Sequence, residues 1–172
     1  MANTYTLIAS STVGSGGAAS IDFTSIPATY TDLKLVYSVR IDNNSVAANL
    51  YYLINNSTTS YSHRRILGNG SAASSDTTPS AGDEAGAGIV PCNNATANTF
   101  GSGEIYFPNY LSSNNKSASV DAVSENNGTE AYAVMSANLW QNTGTITSIK
   151  LRVTSLNLLQ YSTAYLYGIS NS

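Results

Sequence analysis

The chain has 172 residues with only 10% charged side chains, 7 Lys+Arg against 10 Asp+Glu, for a net charge of -3. So few cations argue against a protein that works by neutralising phosphates, and the sequence contains no run of about 18 apolar residues that would span a bilayer as a helix. One cysteine, Cys92, excludes an intrachain disulfide and a thiolate metal cluster.

No stretch shows sustained helical periodicity, and period-2 alternation predicts strands at about 4–11, 18–24, 31–41, 47–55, 61–67, 86–91, 103–110, 116–124, 130–140, 145–154 and 161–169. The region from Ala18 to Arg40 shows the pattern best. Ile21 and Phe23 flank Asp22, and Ser25-Ile26-Pro27 turns the chain. Leu33, Leu35, Tyr37 and Val39 then alternate with polar neighbours that only Val36 interrupts. Residues two apart share one face of a strand, so this is a strand with one buried side, and Pro27 marks a corner. Turn-formers separate the strands: Gly14-Ser15-Gly16-Gly17, Asp42-Asn43-Asn44, Asn55-Asn56-Ser57 and Gly68-Asn69-Gly70.

The C-terminal half reads as a meander. Ile105 and Phe107 lead into Pro108-Asn109-Tyr110, and Ala118, Val120 and Ala122 follow. Asn126-Asn127-Gly128 signals a hairpin, from which Ala131, Ala133, Met135, Ala137 and Leu139 return on one face. Ile149, Leu151 and Val153 follow, then Tyr165, Tyr167 and Ile169. These stripes are expected to feed one shared core and to face the Leu33–Val39 strand. The expected fold is an all-β antiparallel sandwich, jelly-roll-like, in a single domain over 1–172. The exception is 68–101, rich in Gly, Ala, Ser, Thr and Asn, which reads as a long surface excursion with one short strand and a contact to a neighbour.

No constellation predicts turnover. His63 is the sole histidine, and no G-x-S-x-G elbow accompanies it. His63 and Arg65 should alternate with Arg64 and Ile66 across a strand, in a structural or interface role, with the Arg64-Arg65 pair bonded to Asp32, Asp42 or Glu104. Asp83-Glu84, Asp121 and Glu125 form no calcium loop and no evident glycosidase pair. Catalytic, cofactor and metal residues are therefore assigned as none, and the protein is expected to be no enzyme. The unusual signal is tyrosine: 12 Tyr against 3 Phe and 1 Trp, amid abundant Ser and Asn. Rigid aromatics with small polar residues suit recognition surfaces. The candidate interface residues are Tyr51, Tyr61, Arg64, Arg65, Ile89, Val90, Tyr106 and Tyr110, while Trp140 is expected at the core edge.

The segments SGGAASIDFTSIPATYTDLKLV, YSHRRILGNGS, GEIYFPNYLSSNNKSASVDAVSENN, LWQNTGTITSIKLRV and STAYLYGI resemble small β-sandwich virion proteins of tailed bacteriophages, both head decoration (cement) proteins and tail-fibre tip modules. The resemblance implies a virion protein assembled in the host cytoplasm and carries over no site residues. Strand-like sequence begins at Tyr5, so no secretory signal is expected, and a stand-alone sandwich is expected to suit a lattice subunit better than a fibre tip. The expectation is a homo-oligomer, a trimer being favoured, that binds the major capsid protein and neither nucleic acid nor membrane. A host glycan is the partner in the alternative reading, a receptor-binding fibre tip.

Overall fold

The computed structural model describes residues 4–77, 84–127 and 130–170. It is an antiparallel β-sandwich of twelve strands: β1 (Tyr5–Thr12), β2 (Ser20–Phe23), β3 (Asp32–Val39), β4 (Ala47–Ile54), β5 (Tyr61–Gly68), β6 (Ala73–Asp76), β7 (Ala85–Pro91), β8 (Gly101–Phe107), β9 (Lys116–Ser124), β10 (Tyr132–Trp140), β11 (Ile149–Arg152) and β12 (Thr163–Ile169). An eight-stranded sheet in the order β1-β12-β3-β8-β9-β10-β5-β6 packs on a four-stranded sheet in the order β2-β11-β4-β7.

The pairings nest. β1 pairs with β12, β2 with β11, β3 with β8 and β4 with β7, so the chain resembles one long hairpin. Successive pairs fall on alternate sheets. The intervening β5–β6 and β9–β10 widen only the larger sheet, on the far side of β8.

Alternation explains most of the core. Leu33, Leu35, Tyr37 and Val39 point inward and are fully or almost fully buried, as expected. Their expected partner is corrected in part. β8 and β12 hydrogen-bond along the two edges of β3 in the same sheet, and of the meander only β11, with Ile149 and Leu151 buried, belongs to the opposing, smaller sheet.

The apolar stripe of β10 is corrected as well. Ala133, Met135 and Ala137 face outward, and Val134, Ser136, Asn138 and Trp140 face inward. Asn138 belongs inside because its Nδ2 donates to the carbonyl of Gly86 on β7, 2.9 Å away. The tyrosine stripe of β12 also lies outside, while Ala164 and Leu166 are buried.

The 68–101 region departs most from expectation. β7 is buried from end to end and forms the edge of the smaller sheet that lies against β9 and β10. Its small residues are what close packing requires. A Cβ on Gly88 would stand 2.5 Å from the Cβ of Ala122 on β9, and Gly88 has φ +133°, where only glycine is unstrained. β6 went unread because Ala73-Ser74-Ser75-Asp76 has no apolar alternation. It is held as an outer strand by pairing with β5 and by an ion pair from Arg65 to Asp76 at 2.7 Å. Residues 78–83, with Asp83, lie outside the described residues, as does part of the Asn126-Asn127-Gly128 turn.

Candidate functional site

Four of the eight candidate interface residues lie inside the fold. Tyr61 stacks on Trp140, centroids 6.4 Å apart, and its hydroxyl accepts from the amide of Ile54 at 2.7 Å. Burial pushes its pKa up to about 12. Tyr110 is fully buried, its hydroxyl donating to the carbonyl of Pro27. Ile89 and Val90 are core residues of β7. The sequence placed these four near turns or in an excursion, but all four are buried.

Arg65 is also committed. Its guanidinium holds Asp76 on β6 and donates to Asn49 Oδ1 on β4 at 2.9 Å, so it clamps the two sheets together. The ion pair is thus with Asp76, not with Asp32, Asp42 or Glu104. Asp32 instead accepts from the Tyr106 hydroxyl and the Asn109 amide, both at 2.7 Å, and Glu104 pairs with Lys34 at 2.6 Å. His63 is buried on the inner face and Arg64 exposed on the outer, the alternation expected. Tyr51 lies half-buried on the outer face of the smaller sheet, and burial raises its pKa.

Arg64 and Tyr106 remain, and the register brings them onto one surface. Tyr106, Ser119, Ala137 and Arg64 form one row across β8, β9, β10 and β5. Glu104, Asp121, Met135 and Ile66 form the next. Small side chains in the middle of the first row leave a groove of about 810 Å³, walled by Tyr106 and Pro108 on one side and by Arg64 and Ile66 on the other. The hydrogen bond to Asp32 raises the Tyr106 pKa and fixes its ring. The groove therefore offers an aromatic wall, small side chains at Ser119 and Ala137, and the Arg64 guanidinium, with the Arg65–Asp76 ion pair also in its lining.

The groove is part of a larger feature. The outer face of the eight-stranded sheet carries Tyr5, Leu7 and Tyr165 at its β1–β12 end and Val123, Met135 and Ile66 at the other, all exposed. Met135 is 66% and Ile66 64% accessible. The Lys34–Glu104 ion pair of β3 and β8 lies between these two apolar clusters.

Two buried cations escaped sequence reasoning. Arg40 donates to the carbonyls of Thr96 and Thr99 at 2.8 and 2.9 Å and of Ala95 at 3.1 Å, fastening the loop after β7. Lys116 donates to the carbonyls of Ser112 and Asn114, both at 2.6 Å, and burial lowers its pKa. Loop carbonyls leave no signature in a sequence, so neither role could be read there. Among the described residues no cluster of three His, Cys, Asp or Glu side chains is placed to hold a metal.

No protein-family model, curated protein or solved structure in the comparisons matches the chain.

Proposed function

We propose that this is a structural protein of a tailed-phage virion, without catalytic activity, that docks on the capsid as a decoration (cement) subunit. The observation that carries this reading is the set of exposed apolar side chains on the outer face of the eight-stranded sheet, which also carries Lys34, Glu104, Asp121 and Arg64. Exposed Tyr, Leu, Ile, Val and Met side chains on a rigid sheet suit a permanent, largely non-polar interface. We read the nested strand order as a jelly roll, an architecture used by viral capsid and lectin domains alike. That likeness is one of fold and fits docking without specifying it. Cementing would work by burying this face across neighbouring shell subunits, with the protein a homo-oligomer (a trimer on a three-fold lattice axis) and the head its site of action. The test is imaging of virions that carry this chain. Copies on the head in lattice numbers support the reading, and a few copies confined to the tail overturn it.

The groove favours a second reading, a fibre tip that binds a host glycan. A sugar ring would lie against the Tyr106 wall over Ser119 and Ala137, with Arg64 at its edge. Binding on a glycan array that is lost in Tyr106→Ala would support it. A silent array alongside intact capsid binding would overturn it.

A further inference from the structure

The β9–β10–β5 part of the outer face carries two charges without an opposite partner among the described residues. Asp121 stands directly opposite Glu104 in the β8–β9 register, and Glu104 is already bonded to Lys34. Like charges facing each other across a ladder destabilise it. Arg64 donates to the carbonyl of His63 at 2.7 Å and meets no carboxylate among the described residues. Between them lie Met135 and Ala137 of β10, with exposed Ile66 and Val123 nearby. Arg64 and Asp121 are two strands and two residues apart, roughly 12 Å at ordinary sheet spacings.

We propose that this face pairs with a second copy of the same chain through reciprocal Arg64–Asp121 ion pairs. A two-fold axis lying in the interface and passing midway between the two charges sets each Arg64 over the partner copy's acid. That midpoint falls on β10 between Met135 and Ala137, so the apolar stripe meets itself at the axis. Isologous contacts of this kind need one surface to be complementary to itself, in charge as in shape. The incoming guanidinium also relieves the Asp121–Glu104 repulsion. A second copy is favoured over an unrelated protein because the face supplies both signs in balance. The pairing is two-fold, unlike the lattice trimer, and it does not depend on the virion reading. It would leave the β1–β12 end of the sheet open for another partner.

Four strands about 4.8 Å apart and eight residues of about 3.4 Å give a patch on the order of 500 Å² per copy. A standard interface has about 800 Å² per partner, so the pairing should be reversible. Sedimentation equilibrium of the full chain from about 1 to 100 μM spans a micromolar dissociation constant. The expected result is a mass rising from one protomer to two. Arg64→Glu and Asp121→Arg should each weaken pairing at least about tenfold by setting like charges together, and the double swap should restore it. Met135→Lys, at the axis, should abolish it. All these positions are exposed, and unchanged circular dichroism confirms the fold. A one-protomer mass at every concentration overturns the proposal. So does an oligomer, trimer included, that is indifferent to the single swaps, or a double swap that recovers nothing.

Discussion

The hydroxyl of Tyr37, on the larger sheet, crosses the sandwich and donates to the carbonyl of Ala87 on the smaller one. The passage exists because residue 103 on the neighbouring strand is glycine. A Cβ there would stand 2.3 Å from that hydroxyl and 2.8 Å from the carbonyl oxygen of Asp121. Gly103→Ala should therefore destabilise the protein by about 1–3 kcal/mol through overpacking, and Tyr37→Phe by a similar amount because a buried carbonyl loses its donor. The two changes should be less than additive, since removing the hydroxyl takes away the nearest of the clashes, leaving the ring carbon Cζ at 2.6 Å and the Asp121 carbonyl. Urea midpoints of the singles and the double complete the cycle. Full additivity would show that the crossing hydroxyl is not what Gly103 accommodates.

Alkaline pH should unfold the protein. Burial raises the pKa values of Tyr37, Tyr52 and Tyr61, the last to about 12. In the unfolded chain they ionise near pH 10. Above that value the folded state holds more protons than the unfolded one, so stability falls as pH rises. Each such tyrosine costs up to about 1.4 kcal/mol per pH unit, and the Tyr61 share is complete near its folded pKa. Lys116, with its pKa lowered, acts in the opposite sense as pH rises toward the ordinary lysine range, one group against three. Urea titrations between pH 8 and 11 (expected window, from the ordinary tyrosine pKa) should show a midpoint steady at first and then falling steeply. A flat profile would contradict the buried placement of these hydroxyls.

Leu35→Asp places a carboxylate at a fully buried site of β3. The expected loss exceeds about 4 kcal/mol and unfolds the domain at ambient temperature. An unchanged melting temperature would refute the inward register of β3.

Arg40→Ala should loosen the segment from Asn93 to Thr99 without unfolding the sandwich. The side chain holds three loop carbonyls within 3.1 Å, and hydrogen bonds from a charged donor contribute about 1.5–3 kcal/mol each when formed well. The amides of Ala95 and Thr99, which close turns onto Cys92 and Thr96, should exchange faster with deuterium. Arg40→Lys should rescue little, because an ammonium lacks the fork that reaches Ala95 and Thr99 together. Unaltered exchange at both amides would show that the loop stands without the clamp.

The sequence alone determined the all-β class, and eleven of its segments coincide with strands, because alternation with period two is a local property of the chain. It also placed Leu33 to Val39 in the core and set His63 and Arg64 on opposite faces. It could not decide between two faces of comparable polarity. On β10 the Ala133, Met135 and Ala137 stripe is as apolar as its alternate, and only β7, with the Gly86 carbonyl waiting for Asn138, settles which turns inward. Nor could it separate a buried strand of glycine and alanine from a loop, since small residues serve close packing and flexible chain equally. The tertiary structure decided that Tyr61, Tyr110, Ile89 and Val90 belong to the core and that Arg65 is a clamp. It also gathered Tyr106, Arg64, Asp121 and Met135 onto one open sheet face, because strands far apart in sequence were set in register by pairing.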